Sequence, residues 1–334
     1  MTITTRLTTL LGVTHPILLA PMDLIADGRL AATVSRAGGF GIIGGGYGDE
    51  TWLRREMDAA GDARVGVGFI TWSLARQPHL LDLVLERKPT SIILSFGDVA
   101  PFAPSIRRAG AKLICQVQTV EQAKAAVRNG ADILVAQGGE VGGHGISRGT
   151  FALVPAVCDA ARDVPVVAAG GVADGRGLAA ALMLGADGVL AGTRFYASQE
   201  AAGLQSAKNM IVAGSGDRTV RSILFDIARR NVWPAPYTGR VLQNAFSERW
   251  RGRESELMQA HGEAGRYAEA RAKGDFETAA VIAGEGVDLI SDIPPAQVIV
   301  ERMVAEAQTL LGGCSNRFAI KAGTGSSASP TPTC

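Results

Sequence analysis

The sequence predicts an α/β protein, a (β/α)8 TIM barrel with a helical insertion domain after the eighth strand. Short apolar segments alternate with amphipathic segments, and eight such pairs follow one another at roughly 20 to 25 residues each. Several amphipathic segments end at a glycine, the residue that most often ends a helix. Glycine-rich turns directly follow three successive apolar segments, which places three candidate ligand contacts at neighbouring strand ends.

The predicted strands are continuous apolar runs, as expected of parallel strands that are buried on both faces. They cover residues 16–19, 39–43, 65–70, 91–94, 112–116, 133–136, 166–169 and 188–190. The predicted helices between them include residues 30–37, 52–60, 78–87, 120–129, 153–161 and 177–184. The glycines expected to end helices are Gly38, Gly61, Gly110, Gly130 and Gly185.

A doubly wound parallel sheet is the alternative fold. Such a sheet usually has fewer strands, and it would not predict glycine sites on three consecutive strand ends. Residues 39–44 match the GxGxxG pattern of dinucleotide-binding folds, which requires a strand before the motif and a helix at its end. A helical pattern precedes this match, and its apolar residues form the second predicted strand. We therefore interpret the match as a strand.

The pattern changes after Thr193. Residues 197–293 show helices and loops without strand alternation, which predicts a helical cap over the barrel mouth. A long amphipathic helix at 293–311 begins at two prolines and ends at two glycines. The predicted domains are a barrel of residues 1–196 plus 294–313, a helical substrate or cap domain of residues 197–293, and a disordered tail of residues 314–334 without an apolar pattern.

Composition limits the classes of function. The 334 residues are 47% hydrophobic and 19% charged, and 33 basic against 32 acidic residues leave a net charge of +1. No basic block suits nucleic acid, and no apolar segment suits a membrane or a signal peptide, so we expect a cytoplasmic protein. The four histidines are scattered and the four cysteines lack a CxxC pair, so we expect no metal and reduced thiols. The cysteines are Cys115, Cys158, Cys314 and Cys334.

The most informative segment is residues 137–145, with the sequence Gln-Gly-Gly-Glu-Val-Gly-Gly-His-Gly. It follows an apolar run, and its glycines allow a ligand to approach the backbone closely. Its single imidazole, His144, can transfer protons near neutral pH. The segment alone leaves open whether it is a mobile surface loop with an incidental histidine. The glycine turns after the next two strands favour a ligand site over a mobile loop, with His144 as the group available for proton transfer.

A phosphate site is predicted at the ends of the seventh and eighth strands, where barrels of this type commonly bind phosphate. Gly170-Gly171 and Gly192-Thr193 supply backbone N–H groups there, and the threonine adds a hydroxyl. Asp174 is placed to cap the following helix, whose dipole favours an anion, and Arg194 is placed to add positive charge. The alternative is that these glycines serve only tight turns.

A phosphate site does not by itself identify the ligand, and flavin mononucleotide (FMN) is the natural candidate. The Ala20-Pro21-Met22 segment offers apolar packing, and Gln116 and Gln137 at two strand ends can bond ring heteroatoms without carrying charge. No lysine ends the sixth strand, which disfavours a Schiff-base aldolase. The strand ends also lack the arginine clusters expected for a sugar phosphate. A flavin-free barrel enzyme with a phosphorylated ligand, such as an isomerase or lyase, stays open as an alternative.

Four motifs in order resemble the nitronate monooxygenases, formerly called 2-nitropropane dioxygenases. They are Pro16-Ile17 with Ala20-Pro21-Met22, the Gln137–His144 loop, Ala169-Gly170-Gly171-Val172-Ala173-Asp174-Gly175, and Gly192-Thr193-Arg194-Phe195. The resemblance covers roughly residues 1–313. It is shared with flavin-dependent enoyl-acyl-carrier reductases and some NADH:quinone reductases.

The resemblance implies that FMN is the cofactor, that His144 is the catalytic residue, and that residues 284–291 approach the site from the insertion. The expected FMN-binding residues, from motif and resemblance together, are Ala20, Pro21, Met22, Gly68, Gln116, Gln137, Gly142, Gly143, Gly170, Gly171, Ala191, Gly192 and Thr193. Two departures leave the substrate open. Gly68 stands where relatives typically have asparagine, and Leu190 stands where many have glutamine.

The implied reaction converts an alkyl nitronate and O2 to a carbonyl compound and nitrite through a flavin semiquinone. His144, with an ordinary pKa of about 6.5, would act as the base or bind the anion. The expected partners are a nitronate or nitroalkane and O2, and a homodimer is possible. The alternative on the same fold is NAD(P)H-dependent reduction of quinones or enoyl thioesters.

Overall fold

The order of strands and helices follows the predicted alternation across residues 2–313, the part of the chain that this computed structural model describes. The predicted tail 314–334, with Cys314 and Cys334, lies outside the described residues. The strands are β1 Ile17–Leu19, β2 Gly41–Gly44, β3 Val65–Ile70, β4 Ser91–Ser95, β5 Lys112–Val117, β6 Ile133–Gln137, β7 Gly143–Gly145, β8 Val166–Ala169, β9 Gly188–Ala191, β10 Thr219–Ser222 and β11 Thr238–Leu242.

The helices lie between and after these strands. They are α1 Arg6–Leu11, α2 Gly28–Arg36, α3 Glu50–Ala60, α4 Thr71–Leu74, α5 His79–Leu85, α6 Ala103–Arg108, α7 Val120–Arg128, α8 Thr150–Ala161, α9 Gly175–Met183, α10 Thr193–Tyr196, α11 Gln205–Val212, α12 Leu224–Ala228, α13 Ala245–Trp250, α14 Glu254–Gln259, α15 Glu263–Lys273 and α16 Ala296–Gly312. Two 3-10 turns are Gly216–Arg218 and Glu285–Leu289. The six predicted helices between the strands all form.

Eight strands form a parallel barrel, which confirms the predicted fold class. Their order is β1-β9-β8-β6-β5-β4-β3-β2. A parallel bridge between Leu18 and Phe40 closes the ring, and Phe40 N donates to the carbonyl of Ile17 at 2.9 Å. Each barrel strand is buried almost throughout because one face contacts the outer helices and the other fills the interior. Leu7 and Leu11 of α1 pack against that interior and plug its lower end.

The helices end at the glycines that the sequence predicts. Five helix-ending glycines have the left-handed φ that favours glycine. They are Gly38, Gly61, Gly110, Gly130 and Gly185. The closing helix α16 packs against α9, where Gly175 permits close approach, because a Cβ there would lie 2.5 Å from the carbonyl oxygen of Met303. The end of the chain that is described therefore docks back on the barrel.

The insertion follows the eighth barrel strand, as predicted, but the prediction that it contains no strands was wrong. Strands β10 and β11 form an antiparallel sheet with β7 from the glycine-rich loop. In this sheet Thr238 pairs with Gly145, and Gly239 pairs with His144. The cap and the barrel loop therefore share one sheet over the barrel mouth. Within residues 2–313, no helix combines the length and apolar character needed to cross a bilayer.

Candidate active site

A cavity of about 410 Å³ opens at the carboxyl ends of the barrel strands, under the cap. His144 and twelve of the thirteen expected FMN-binding residues line it. The twelve are Ala20, Pro21, Met22, Gly68, Gln116, Gln137, Gly142, Gly143, Gly170, Gly171, Gly192 and Thr193. Ala191 does not line the cavity. It is buried in β9, and its carbonyl accepts a bond from Ala20 N at 2.9 Å.

Two glycine turns after β8 and β9 form one wall of the cavity. Gly170 and Gly171 have φ of +113° and +71°, a conformation that strains residues with a side chain. At Gly192, a Cβ would meet its nearest atom, in Ala20, at 3.4 Å, which is an ordinary van der Waals contact. The Thr193 hydroxyl accepts a bond from Gly284 N at 3.0 Å, which leaves its own proton free to donate. These turns present the donors that a phosphate requires.

The N-terminus of α9 already binds two carboxylates of the chain itself. Asp174 caps it as predicted and accepts bonds from the N–H groups of Arg176 and Gly177. Glu306 of α16 accepts the bond from Gly175 N at 2.8 Å. The expectation that this helix end would attract an outside anion was therefore wrong, because these carboxylates use its first N–H groups.

Arg194 does not contribute charge to the cavity, contrary to expectation. Its guanidinium is buried and donates to Asp292 and to the carbonyl of Ala197. Burial lowers the pKa of Arg194, against the opposing charge of Asp292. This pair joins the end of the insertion to the start of α10. Its role is structural, since it ties together the two places where the cap leaves and rejoins the barrel.

Gln116 and Gln137 differ in what they can still bind. Gln116 Nε2 is buried and has no partner among the described residues, so it is a donor without an acceptor. Both ends of Gln137 are used, because its Oε1 accepts from Gln118 at 2.8 Å and its Nε2 donates to the His144 carbonyl at 3.3 Å. Gln137 therefore holds the histidine backbone in place, while Gln116 is available to a ligand.

His144 is fixed by two side chains from the cap. Its Nε2 lies 2.9 Å from Asp226 Oδ2, and its ring stacks on Trp233 with centroids 3.4 Å apart. Asp226 in turn pairs with Arg229 at 3.2 Å. The side chains of His144 and Asp226 are only 8% and 7% exposed, so water screens this pair weakly. The geometry resembles that of a general base held by a carboxylate.

The surroundings keep the His144 imidazole neutral near physiological pH. Burial lowers the pKa of His144, and this effect exceeds that of Asp226, whose hydrogen bond and charge raise it. Because a carboxylate can only accept, the proton is on Nε2 and the lone pair is on Nδ1. No hydrogen bond to Nδ1 occurs in the described part of the chain. Nδ1 is therefore free to accept a proton from a ligand.

Aromatic rings surround Trp233 and hold its indole in place. Their centroids lie 5.1 to 6.3 Å from that of Trp233, in edge-to-face contact, and they belong to Tyr47, Trp72, Phe96 and Tyr237. Trp233 Nε1 also donates to Tyr47 Oη at 2.9 Å. Burial raises the pKa of Tyr47, so its hydroxyl stays protonated. The wall behind His144 is therefore rigid and uncharged.

Arg221 holds the glycine-rich loop in place through hydrogen bonds to its carbonyl oxygens. Its guanidinium donates to carbonyl oxygens on the loop and on β11, which are those of Gly139, Val141, Gly143 and Thr238. Burial lowers the pKa of Arg221 to about 10, a value at which the side chain remains charged at neutral pH. Five N–H donors in one plane suit this role, because several loop carbonyls converge on one side chain.

Sequence reasoning missed the partners of His144. Asp226 lies 82 residues away in a segment predicted only as helix and loop. One weak signal existed, since Asp226 is a single charge between Phe225 and Ile227. Such a carboxylate is buried only where a partner balances it.

Comparison with known proteins identifies the family to which the chain is similar. The model of the family described as nitronate monooxygenase matches residues 4–65 and 70–306. The nitronate monooxygenase of Neurospora crassa is 34% identical over 343 residues, covering 88% of this chain and 89% of that protein. An octahydroindene-carboxyl-CoA dehydrogenase of Rhodococcus jostii is 38% identical over 227 residues, covering 66% of this chain and 63% of that protein.

A solved structure extends the similarity to the whole fold. FabK from Thermotoga maritima has a TM-score of 0.83 and 32% identity, covering 95% of this chain and 100% of that chain. The family match spans nearly all of the barrel and cap, and it includes the histidine loop and both glycine turns. The chain therefore belongs to the nitronate monooxygenase family of oxidoreductases.

Proposed function

We propose that the protein uses FMN to oxidise alkyl nitronates with O2 to a carbonyl compound and nitrite. The observation that carries the proposal is the His144–Asp226 pair at a cavity that the glycine turns after β8 and β9 also line. Family membership and the Neurospora relative support the substrate class. His144 serves as the base for a neutral nitroalkane and as the anion-binding group for a nitronate.

The residues of the cavity fit a flavin. Gly170, Gly171, Gly192 and Thr193 would hold its phosphate with backbone N–H groups and one hydroxyl. Residues 20–22 would pack on the ring, and the unpaired Gln116 Nε2 would donate to one of its heteroatoms. When bound, FMN supplies the electron acceptor for oxidation of the substrate carbon.

Gly68 can contribute only its backbone to the proposed flavin site. A Cβ at this position would lie 2.3 Å from Pro21 Cβ and 2.6 Å from Ile93 Cγ2, so any side chain would displace its neighbours. Its carbonyl already accepts a bond from Gly45 N at 2.7 Å. The flavin contact that asparagine makes in relatives is therefore not replaced here by a side chain from residue 68.

The protein's part in the reaction is to place a base and to exclude water. His144 Nδ1 accepts the α-proton of a neutral nitroalkane, and the resulting imidazolium keeps its Nε2–H bond to Asp226. With a preformed nitronate, no α-proton is taken, and the ring binds the anion in its protonated form, in which Nδ1–H donates to the nitronate while Nε2–H keeps its bond to Asp226. Trp233 covers one face of the imidazole, which keeps the ring plane fixed and shields the proton.

The test is anaerobic mixing of FMN-loaded protein with an alkyl nitronate, NADH and NADPH in parallel. We expect the nitronate to change the flavin absorbance without any nicotinamide present. With air, nitrite should form in proportion to nitronate consumed. Reduction by a nicotinamide without any reaction of the nitronate would instead favour a flavin reductase. Protein that takes up no FMN would favour the flavin-free barrel enzyme.

An acyl thioester oxidoreductase is the second candidate. The Rhodococcus relative is named for a CoA-linked substrate, and part of the cavity lining is apolar or aromatic. This part of the lining includes Tyr196, Leu204, Tyr267, Phe276 and Ile282, which suit an apolar chain. Mixing reduced, FMN-loaded protein with an enoyl thioester tests this candidate, since reoxidation of the flavin without O2 would support it.

A further inference from the structure

A second concavity, of about 1180 Å³, lies beside the active-site cavity. Its walls come from the loops after β2 and β3, the loop after α12, and helix α15. The two spaces adjoin, because they share the lining residues Asp23, Leu24, Tyr47, Arg229, Tyr267 and Arg271. A molecule that reaches from one space into the other would pass these six residues.

Three arginines line this space without a carboxylate partner among the described residues. Arg76, Arg230 and Arg271 are all exposed, and Arg76 lies over the Trp72 ring at 4.9 Å from its centroid. We call the space the arginine groove after these three residues. Their guanidiniums differ from that of Arg229, which pairs with Asp226. Unpaired exposed arginines gathered on one concave surface attract anions.

The acidic residues of the groove do not cancel this charge. Asp49 Oδ1 accepts the bond from Trp52 N and caps α3. Asp23 lies at the junction with the cavity, and burial raises its pKa, against the charges of Arg271 and Arg229. The one histidine on the groove, His261, is exposed. The groove therefore carries a net positive charge at neutral pH.

We propose that the arginine groove binds the phosphate groups of an elongated reactant whose reacting end enters the cavity beside His144. Guanidinium groups bind phosphate oxygens through paired N–H donors, and arginine is preferred wherever such planar recognition is needed. This site is separate from the turns proposed for FMN, since Gly170, Gly171 and Gly192 do not line the groove.

The inference goes beyond nitronate oxidation, because an alkyl nitronate has no phosphate. Two kinds of reactant share the required chemistry, a nicotinamide dinucleotide and a thioester of coenzyme A. Both join a reactive end to adenosine through a diphosphate. The shared probe for the groove is therefore inorganic pyrophosphate.

The experiment is calorimetric titration of FMN-loaded protein with pyrophosphate at low salt. We expect binding that weakens as salt increases, and about tenfold weaker binding in Arg76→Ala and in Arg230→Ala. Arg251→Ala is the matched control, since Arg251 is an exposed arginine of the cap outside both spaces, and it should bind as the parent does. Unchanged flavin content and melting temperature would show that the variants are folded. If an alanine variant is not folded, Arg76→Gln or Arg230→Gln replaces it in the titration.

Competition against pyrophosphate identifies the reactant. Either NADPH or coenzyme A should displace pyrophosphate from the parent protein, and the one that does so at the lower concentration names the class. No pyrophosphate binding, or equal binding by the groove variants and Arg251→Ala, would overturn the proposal. This binding readout does not depend on nitrite formation. The groove proposal and the nitronate proposal can therefore fail separately.

Discussion

The imidazole of His144 lies flat against the indole of Trp233, with centroids 3.4 Å apart and ring planes 7° from parallel. The histidine belongs to the barrel loop, whereas the tryptophan and the carboxylate of Asp226 belong to the cap. The barrel alone therefore carries the histidine but does not fix it. Since the cap supplies both the stacking surface and the hydrogen-bond partner, the site forms only when the two parts fold together.

Removing the imidazole should separate its two proposed tasks. We expect His144→Ala to lower kcat/KM with neutral nitroalkane by about 10²- to 10⁴-fold, because a positioned base contributes that much, while flavin content stays unchanged. His144→Asn keeps a donor but cannot take a proton, so it should fail with nitroalkane and keep part of the activity on preformed nitronate. Near-parental turnover of His144→Ala on both substrates, measured by nitrite release, would remove His144 from the mechanism.

Asp226→Asn should act through the histidine. The change removes a charge that raises the pKa of His144, so the rate with neutral nitroalkane should reach half its maximum at a lower pH than in the parent. The maximal rate should fall roughly 10- to 100-fold, because the imidazolium loses a charged hydrogen-bond partner. Asp217→Asn, an exposed change in the cap, is the control. An unmoved pH profile would show that Asp226 does not act on His144.

The buried histidines should make the protein less stable in acid. Burial lowers the pKa of His144 and of His15 below the ordinary value of 6.5, so the unfolded chain binds more protons than the folded chain as pH falls through that value. Above about pH 6.5 these two histidines should therefore not reduce the free energy of unfolding. Below that pH the free energy of unfolding should decrease.

Urea unfolding between pH 7.5 and pH 5 measures this dependence, with each pH value chosen at about half-unit steps. In His144→Asn the free energy should fall less steeply with acid than in the parent, since one buried titrating group is gone. His261→Asn, at an exposed position, should keep the parental slope. Equal slopes in the parent and His144→Asn would contradict the burial argument.

Gly192→Asp should release the flavin from a folded barrel. A Cβ at this glycine would make only ordinary contacts with Ala20 and Met22, at 3.4 Å or more, while the added carboxylate would repel the phosphate proposed to bind there. We expect colourless protein with a circular dichroism spectrum like that of the parent. Gly265→Asp on α15 adds the same charge where a Cβ would meet nothing within 4 Å, and it should retain the flavin. Full flavin retention in Gly192→Asp would exclude this turn as the phosphate site.

The barrel could be predicted from the sequence because its signals are local. A strand buried on both faces is a continuous apolar run, and the turn that follows it needs glycine where φ is positive. Gly170 and Gly171 show both signals within a few residues. The same locality explains why the helix-ending glycines and the cap at Asp174 could be predicted.

The active site could be predicted only in part because its pairings are distant. The β7 strand is Gly-His-Gly, which has no strand pattern of its own and forms only because β11 lies beside it. The direction of Arg194 depends on Asp292, 98 residues later, so its position next to a glycine turn was misleading. The sequence could identify His144 as a candidate residue. It could not predict that the imidazole is neutral, stacked on Trp233 and paired with Asp226, because both partners belong to the cap.

The three-stranded sheet formed by β7, β10 and β11 joins the cap to the barrel loop by backbone hydrogen bonds. Swinging it away as a rigid lid would break the backbone pairing of His144 with Gly239 and the bonds from Arg221 to the loop carbonyls. It would also take Asp226 and Trp233 away from the imidazole. A cap that lifted as one body would therefore dismantle the paired histidine before substrate could meet it, so we expect substrate and product to pass the cap while this sheet stays paired.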